Sequence, residues 1–131
     1  WRRVLRPGGR LFMAVPDKHS TFDREREITP LTHVIDDYLH PDQDRDRQAF
    51  LDFALFVSCR VFHVRPENEA EAFADELAAK NYSIHFHVWD QPAFDELLRH
   101  MERNLPDWHM RTVDTMPTQV DEFAYVIEKQ A

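Results

Sequence analysis

The stretch RVLRPGGRLFMAVP, residues 3–16, decides the fold class that this sequence predicts. Residues 1–5 are typical of the last turn of a helix, which Pro7, Gly8 and Gly9 end. The run RLFMAV that follows is almost continuously apolar. Such a run is typical of a strand buried on both faces, as in a parallel sheet, although a short buried helix has a similar pattern. A helix end, a tight turn and a buried strand in this order predict an α/β fold.

Helical patterns dominate the segment that follows, residues 17–89. Thr29 is a plausible N-cap with Pro30 in the first turn, and another helix begins near Pro66. Residues 49–64 are rich in Phe and Val and are predicted to be mostly helical, although their last residues also suit a strand.

The last third of the chain predicts a helix and two strands. Asp90 is in place to cap a helix that Pro106 ends. Residues 107–116 and 122–129 then follow as β-rich segments, and we expect them to form a terminal antiparallel pair.

Composition argues against several classes of protein. The chain has 131 residues, of which 43% are hydrophobic, and its formal net charge of −8 predicts neither a nucleic-acid nor a membrane partner. Its single cysteine, Cys59, forms no internal disulfide, and no signal peptide or spanning segment is visible, so we expect a cytoplasmic protein. Gly8 and Gly9 are the only glycines, which excludes a glycine-rich nucleotide loop within the chain.

Three segments together resemble a known family. They are RVLRPGGRLFMAVP at residues 3–16, HFHVWDQPAFDELLRHM at residues 85–101 and DEFAYVIEK at residues 121–129. In this order they resemble the C-terminal half of class I S-adenosylmethionine-dependent methyltransferases, in particular a bacterial branch. That branch carries a segment similar to residues 15–38, which here include VPDK, TFD, TPL and DY.

The resemblance implies a fold and a division of the chain. The expected fold is the C-terminal half of a Rossmann-like domain, with a mainly parallel sheet, a terminal antiparallel strand pair and a helical insertion. Residues 1–131 would form one partial domain. Within it, residues 1–16 would be a helix end and buried strand, residues 17–89 a helical insertion facing the methyl acceptor, and residues 90–131 a helix and the strand pair.

The family's cofactor elements have no counterpart in this sequence. Its glycine-rich turn and ribose-binding acidic residue lie on earlier strands, and the chain opens on Trp1 in the middle of a pattern. We therefore expect a truncated chain, inactive alone, whose parent uses S-adenosylmethionine. The residues that would bind that cofactor stay unknown.

Residues after the first strand are the first candidates for chemistry. Ligands of doubly wound sheets lie beyond the carboxyl ends of the strands, where Asp17 and Lys18 fall. Asp17 could accept a proton from the nucleophile and Lys18 could hold an anionic group of the substrate. Both could equally be solvated loop residues.

Alternating polar residues before the capped helix are the second candidates. In an extended segment His85, His87 and Trp89 would share one face. We predict either histidine as a general base or hydrogen-bonding group for the acceptor, and otherwise both would cap and orient the helix that follows. A metal site is conceivable, with ligands from this segment and from the polar side of the Thr29 helix, where i,i+3 and i,i+4 spacings relate His33, Asp36, Asp37 and His40. Such a site needs convergence of segments far apart in sequence and lacks an HExxH or cysteine pair, so no metal is predicted.

The acceptor site takes its remaining candidates from the insertion. The predicted catalytic residues are His85, His87 and Asp17, and the predicted acceptor-binding residues are Lys18, Arg24, His33, Tyr38 and Trp89. Residues 21–26 would form a lid over the substrate or ordinary surface ion pairs. The phenylalanines of residues 50–62 are more typical of core than of an acceptor pocket, and Cys59 of a buried structural thiol.

The function predicted from these residues is methyl transfer from S-adenosylmethionine to a small-molecule acceptor. The alternative is a module without catalytic activity that serves assembly or interaction. In either case an apolar first strand with an open edge predicts self-association.

Overall fold

The computed structural model describes residues 1–40 and 46–131. These residues form two compact units, the first made of Trp1–Ser20 and Trp89–Ala131 and the second of Thr21–Val88. The strands are β1 (Arg10–Pro16), β2 (Met110–Gln119) and β3 (Glu122–Lys129), and the helices are α1 (Leu31–Leu39), α2 (Asp46–Asp52), α3 (Ala70–Ala79) and α4 (Gln91–Asn104). A π-helix, Phe53–Val61, continues α2, and short 3₁₀ turns occur at Lys18–Ser20, Phe22–Glu25 and Glu67–Glu69.

The first unit contains an antiparallel sheet with the strand order β1-β3-β2. β3 pairs with β1 from Val15 opposite Phe123 to Arg10 opposite Glu128, and it pairs with β2 on its other side. The expected terminal pair of antiparallel strands is therefore confirmed. The expectation of a mainly parallel sheet, and with it of half a Rossmann-like domain, is wrong, because no parallel pair occurs within residues 1–40 and 46–131.

The burial of β1 shows why its sequence was misleading. Val15 is buried, and Leu11 and Met13 on the same face pack against the core of the first unit. Phe12 lies on the opposite face and is 63% exposed. The apolar run therefore covers one face with core contacts and leaves the other largely open, whereas a parallel strand in an α/β sheet is covered on both faces.

The turn before β1 follows its glycines, but the helix expected before it does not form. Residues 1–5 make a turn in which the amides of Val4 and Leu5 donate to the carbonyl of Trp1. Gly8 has a φ of +73°, a conformation that costs glycine nothing. The Gly8 amide donates to the Lys129 carbonyl at 2.8 Å, which joins the turn to the end of β3.

α4 supplies the other layer of the first unit. An Asp90 carboxylate oxygen accepts from the Ala93 amide at 2.9 Å, so the predicted N-cap is confirmed. Phe94 and Leu98 on α4 are buried against Phe123 and Tyr125 of β3. Full burial of each such side chain contributes about 1.5–3 kcal/mol.

The second unit has its own core between α2, the π-helix and α3. The core residues are buried Phe50, Phe53, Ala54, Val57, Ala74, Leu77 and Ile84. Residues 60–64 form no strand. Thr29 does not cap α1, because its hydroxyl accepts from the Val88 amide instead and Pro30 occupies the N-cap position.

In the part of the chain that the structure describes, every helix is too short or too polar to cross a membrane.

Candidate functional site

His85 and Asp23 form a hydrogen-bonded pair of candidate catalytic groups in the second unit. Nδ1 of His85 lies 2.6 Å from Oδ2 of Asp23, although the two residues are 62 positions apart in sequence. Asp23 lies in the 3₁₀ turn Phe22–Glu25. The side-chain hydroxyl of the N-cap residue, Thr21, accepts a hydrogen bond from the Asp23 amide. An ionised carboxylate accepts a hydrogen bond, so this geometry places the proton of a neutral imidazole on Nδ1.

Arg26 fixes both members of this pair. Its Nη1 donates to Oδ1 of Asp23 at 2.8 Å and to the backbone carbonyl of His85 at 2.7 Å. The Asp23 and Arg26 residues are only 2% and 4% exposed. A buried carboxylate is stable only when it is paired and hydrogen-bonded, and Arg26 and His85 satisfy both of its oxygens.

The ring of His85 has a stacking contact in addition to its hydrogen bond with Asp23. It stacks on Phe22 with ring centroids 4.9 Å apart and an angle of 27° between the planes. The His85 side chain is 37% exposed, so a ligand can reach it from solvent. With Nδ1 bound to Asp23, Nε2 carries the lone pair that can take a proton.

A second cluster in the same unit joins His33, Asp37 and His87. Nε2 of His33 lies 3.2 Å from Oδ2 of Asp37, one helical turn away on α1. Nε2 of His87 lies 3.0 Å from the same oxygen. The three ligand-type atoms all lie within 4.8 Å of one another.

Backbone pairing between two segments holds this second cluster together. The Thr29 amide donates to the Val88 carbonyl at 3.0 Å, and the Val88 amide donates to the Thr29 hydroxyl at 2.9 Å. Thr29 lies just before α1, and Val88 follows His87 directly. Because Val88 is itself buried, the start of α1 and the segment bearing His87 have one fixed register.

The bend at Phe86 and His87 separates the two predicted histidines. The segment 82–90 is not a strand, and its histidines bind carboxylates from different elements. Trp89 belongs to the other unit, where its ring packs edge-on against Phe94 with centroids 5.4 Å apart. The extended strand from which a shared face of His85, His87 and Trp89 was expected is therefore not formed.

Asp17 and Lys18 lie after β1, as the sequence predicts, and both are tied to the first unit. The Asp17 carboxylate is buried and accepts from the His19 amide at 2.9 Å and from the Thr118 hydroxyl at 2.6 Å. The Lys18 amide donates to the Trp89 carbonyl. These bonds hold the end of the sheet together, and the catalytic role of Asp17 stays a prediction.

The remaining predicted residues are spread over the second unit. Arg24 and Tyr38 are exposed, and Phe50 and Phe53 are core residues. Cys59 is buried, and this burial, followed by the charge of Glu67, raises the pKa of its thiol. A thiol with a raised pKa is a poor nucleophile at neutral pH.

Asp23 was not identified from the sequence as a site residue, and Asp37 was named only as a possible ligand of a metal site that was not predicted. The signal for Asp37 was the i,i+4 spacing from His33, which sets the two side chains on one face of a helix. Asp23 carried no comparable signal, because its partner His85 lies 62 residues away. The ion pair between Asp23 and Arg26 is buried and not at the surface, and the lid at residues 21–26 stays a prediction.

We compared the chain with protein-family models, with curated proteins and with solved structures, and none of the three comparisons finds a match.

Proposed function

We propose that these residues supply the acceptor-binding part of an S-adenosylmethionine-dependent methyltransferase, with His85 as its general base. The proposal rests on the resemblance of residues 3–16, 85–101 and 121–129 to that family. The observation that carries the role of His85 is its 2.6 Å contact with Asp23. The acceptor is a small molecule, and the reaction takes place in the cytoplasm.

The chemistry of His85 follows from the way it is held. Nε2 takes the proton of an acceptor hydroxyl or amine, and the freed lone pair on that oxygen or nitrogen becomes the nucleophile. Asp23 fixes the tautomer and stabilises the imidazolium that forms. Asp23 is a positioning residue, because it acts on the acceptor through His85.

The two glycines of this chain do not fit the glycine-rich turn that would hold S-adenosylmethionine itself. Gly8 and Gly9 are committed to the turn before β1, where a Cβ on Gly9 would lie 2.8 Å from the Arg6 carbonyl oxygen. They therefore form no cradle for a cofactor. In this proposal the cofactor is held outside these 131 residues.

The test is turnover in the complete protein that carries these residues. His85→Gln removes the proton acceptor and should lower kcat by about 100-fold or more. Affinity for S-adenosylmethionine should be unchanged, since His85 does not bind the cofactor. His40→Gln is the matched control, because His40 is also paired with a carboxylate, through Nδ1 and Asp36 at 2.8 Å.

Asp23→Asn tests the positioning role. Nitrogen NMR of the imidazole should show loss of the Nδ1-protonated tautomer of His85 together with a lower kcat. Full turnover of His85→Gln would refute the proposal, as would an Asp23→Asn variant with the original tautomer and rate.

A second candidate function is assembly through β1. Within the described residues, one edge of β1 pairs with β3 and the other edge has no strand beside it. An unpaired, apolar edge is a template for another chain.

A further inference from the structure

We propose that His33, Asp37 and His87 bind a divalent first-row transition metal ion such as Zn²⁺. The three side chains come from α1 and from the segment before α4, and their Nε2, Oδ2 and Nε2 atoms lie within 4.8 Å of one another. This site is separate from the Asp23 and His85 pair and does not depend on the proposed methyl transfer.

The separations between the ligand atoms suit a coordinated ion. Zinc binds imidazole nitrogen and carboxylate oxygen at about 2.0–2.2 Å, which places neighbouring ligand atoms of a tetrahedral site about 3.3 Å apart. The two nitrogen to oxygen distances here are 3.2 Å for His33 and 3.0 Å for His87. Both nitrogen to oxygen distances therefore lie within a few tenths of an ångström of the spacing that a coordinated ion requires.

The composition of the cluster selects the class of metal. Two imidazoles and one carboxylate suit zinc and its neighbours, whereas calcium and magnesium prefer sites built of oxygen alone. Three protein ligands leave at least one coordination position open, as in catalytic zinc sites. The side chains are partly exposed, 50% for His33, 32% for His87 and 25% for Asp37, so water can fill that position.

Contacts within the protein preorganise the three side chains of this cluster. His33 and Asp37 share one face of α1, and the reciprocal hydrogen bonds between Thr29 and Val88 fix the position of His87. The rings of His33 and His87 meet edge-on with centroids 6.0 Å apart, which turns both toward the same carboxylate. A ligand set that is already ordered binds an ion with a smaller loss of conformational entropy.

The same chain offers an internal comparison. His40 and Asp36 form another i,i+4 pair on α1, with Nδ1 2.8 Å from the carboxylate oxygen. The three-residue cluster that the structure brings together does not include this pair. A single histidine and carboxylate pair on an exposed helix is a weak metal ligand, so His40→Gln should leave metal affinity unchanged.

The experiment is calorimetric titration of Zn²⁺ into protein that carries no polyhistidine tag and has been treated with a chelator. We expect one ion per chain with a Kd below about 10 μM, which corresponds to roughly −7 kcal/mol. His33→Gln, Asp37→Asn and His87→Gln should each weaken binding by about 100-fold or more, since even loss of outer partners of metal ligands costs 10–100-fold.

Paramagnetic Co²⁺ gives a second measurement that needs no variant. It should broaden the imidazole NMR signals of His33 and His87 at one equivalent and leave that of His40 sharp. Absence of saturable Zn²⁺ binding, equal affinity in the wild type and His87→Gln, or equal broadening of all histidines would overturn the proposal. In those cases the cluster is only a hydrogen-bonded group of side chains.

Discussion

Asp23 illustrates how burial changes the contribution of a charged residue to the stability of the fold. Its ion pair with Arg26 has both side chains almost completely removed from water, and removal of one partner from such a pair typically costs about 3–5 kcal/mol. The bidentate pair of Arg60 with Glu67 has similar distances of 3.1 Å but lies at the surface, where ion pairs contribute about 0–1 kcal/mol. The buried pair is therefore the one that can hold the side chain of His85 in place.

Tyr125 provides a prediction about stability at high pH. It is fully buried, and desolvation followed by its 2.7 Å hydrogen bond to Asp95 raises the pKa of its hydroxyl above the ordinary value of 10.0. The folded chain thus holds the proton more tightly than the unfolded chain. The protonated hydroxyl therefore contributes fully to the stability of the fold below pH 10. This contribution declines as the pH rises from there toward the pKa of Tyr125 in the folded chain.

Tyr125→Phe should consequently change both the free energy of unfolding at pH 7 and its dependence on pH above pH 10. At pH 7 the free energy of unfolding should fall by about 1 kcal/mol, because the bond to Asp95 is lost. Above pH 10 the wild type should lose up to about 1.4 kcal/mol per pH unit through this group, and the variant should not. Urea unfolding from pH 7 to pH 11 measures this, with Tyr82→Phe as the exposed control. Equal slopes in the wild type and Tyr125→Phe would contradict the prediction.

At the scale of elements, local chemistry was predictable and long-range pairing was not. The cap of α4 by Asp90 depends on residues three positions apart, so the sequence alone was enough to predict it. The role of Thr29 depended on Val88, 59 positions away, and an N-cap was wrongly expected. β1 was assigned to a parallel sheet because an apolar run does not reveal that Phe12 faces outward.

The same distinction holds for the candidate site. His85 and His87 could be predicted as candidates because imidazoles are rare groups that titrate near neutral pH. Neither buried partner could be inferred for His85, since Asp23 and Arg26 lie about 60 residues away and resemble an ordinary charged surface segment. The approach of His33 to His87 likewise depends on the hydrogen bonding between Thr29 and Val88. Because these two residues are far apart in sequence, only the tertiary structure reveals that contact.

The hairpin between β2 and β3 carries a strained residue that permits a stability prediction. Val120 has a φ of +64° in the two-residue turn between Gln119 and Glu122, and it is exposed. A β-branched residue in this left-handed region costs roughly 1–2 kcal/mol, whereas glycine adopts it without strain. Replacement by glycine also raises the entropy of the unfolded chain, which offsets about 0.4–1 kcal/mol.

Val120→Gly should therefore stabilise the chain by about 0.5–1 kcal/mol. Thermal unfolding followed by circular dichroism measures the change. Val113→Gly is the control, because Val113 lies in β2 without a positive φ and glycine weakens a strand. A lower midpoint for Val120→Gly would show that the turn is not strained.

At the scale of the whole molecule, the two edges of the sheet differ in their protection. β2 has register shifts between Thr112 and Asp114 and between Met116 and Gln119, and it contains Pro117. Bulges and proline are devices that prevent an edge strand from pairing with another chain. β1 pairs regularly along its whole length and has its proline only at the last position, so its free edge lacks these devices.

Self-association through β1 is the prediction that follows. Phe12 is 63% exposed on this strand, so pairing along the free edge would also bury apolar surface. We expect a dimer or larger assembly whose mass rises with concentration in light scattering, in spite of the net charge of −8. Phe12→Lys should shift the chain toward monomer, because an exposed lysine on an edge strand opposes pairing. Leu39→Lys is the matched control, since Leu39 is 62% exposed on α1 in the other unit. A wild-type chain that stays monomeric at high micromolar concentration, or an equal effect of the two lysines, would exclude β1 as the interface.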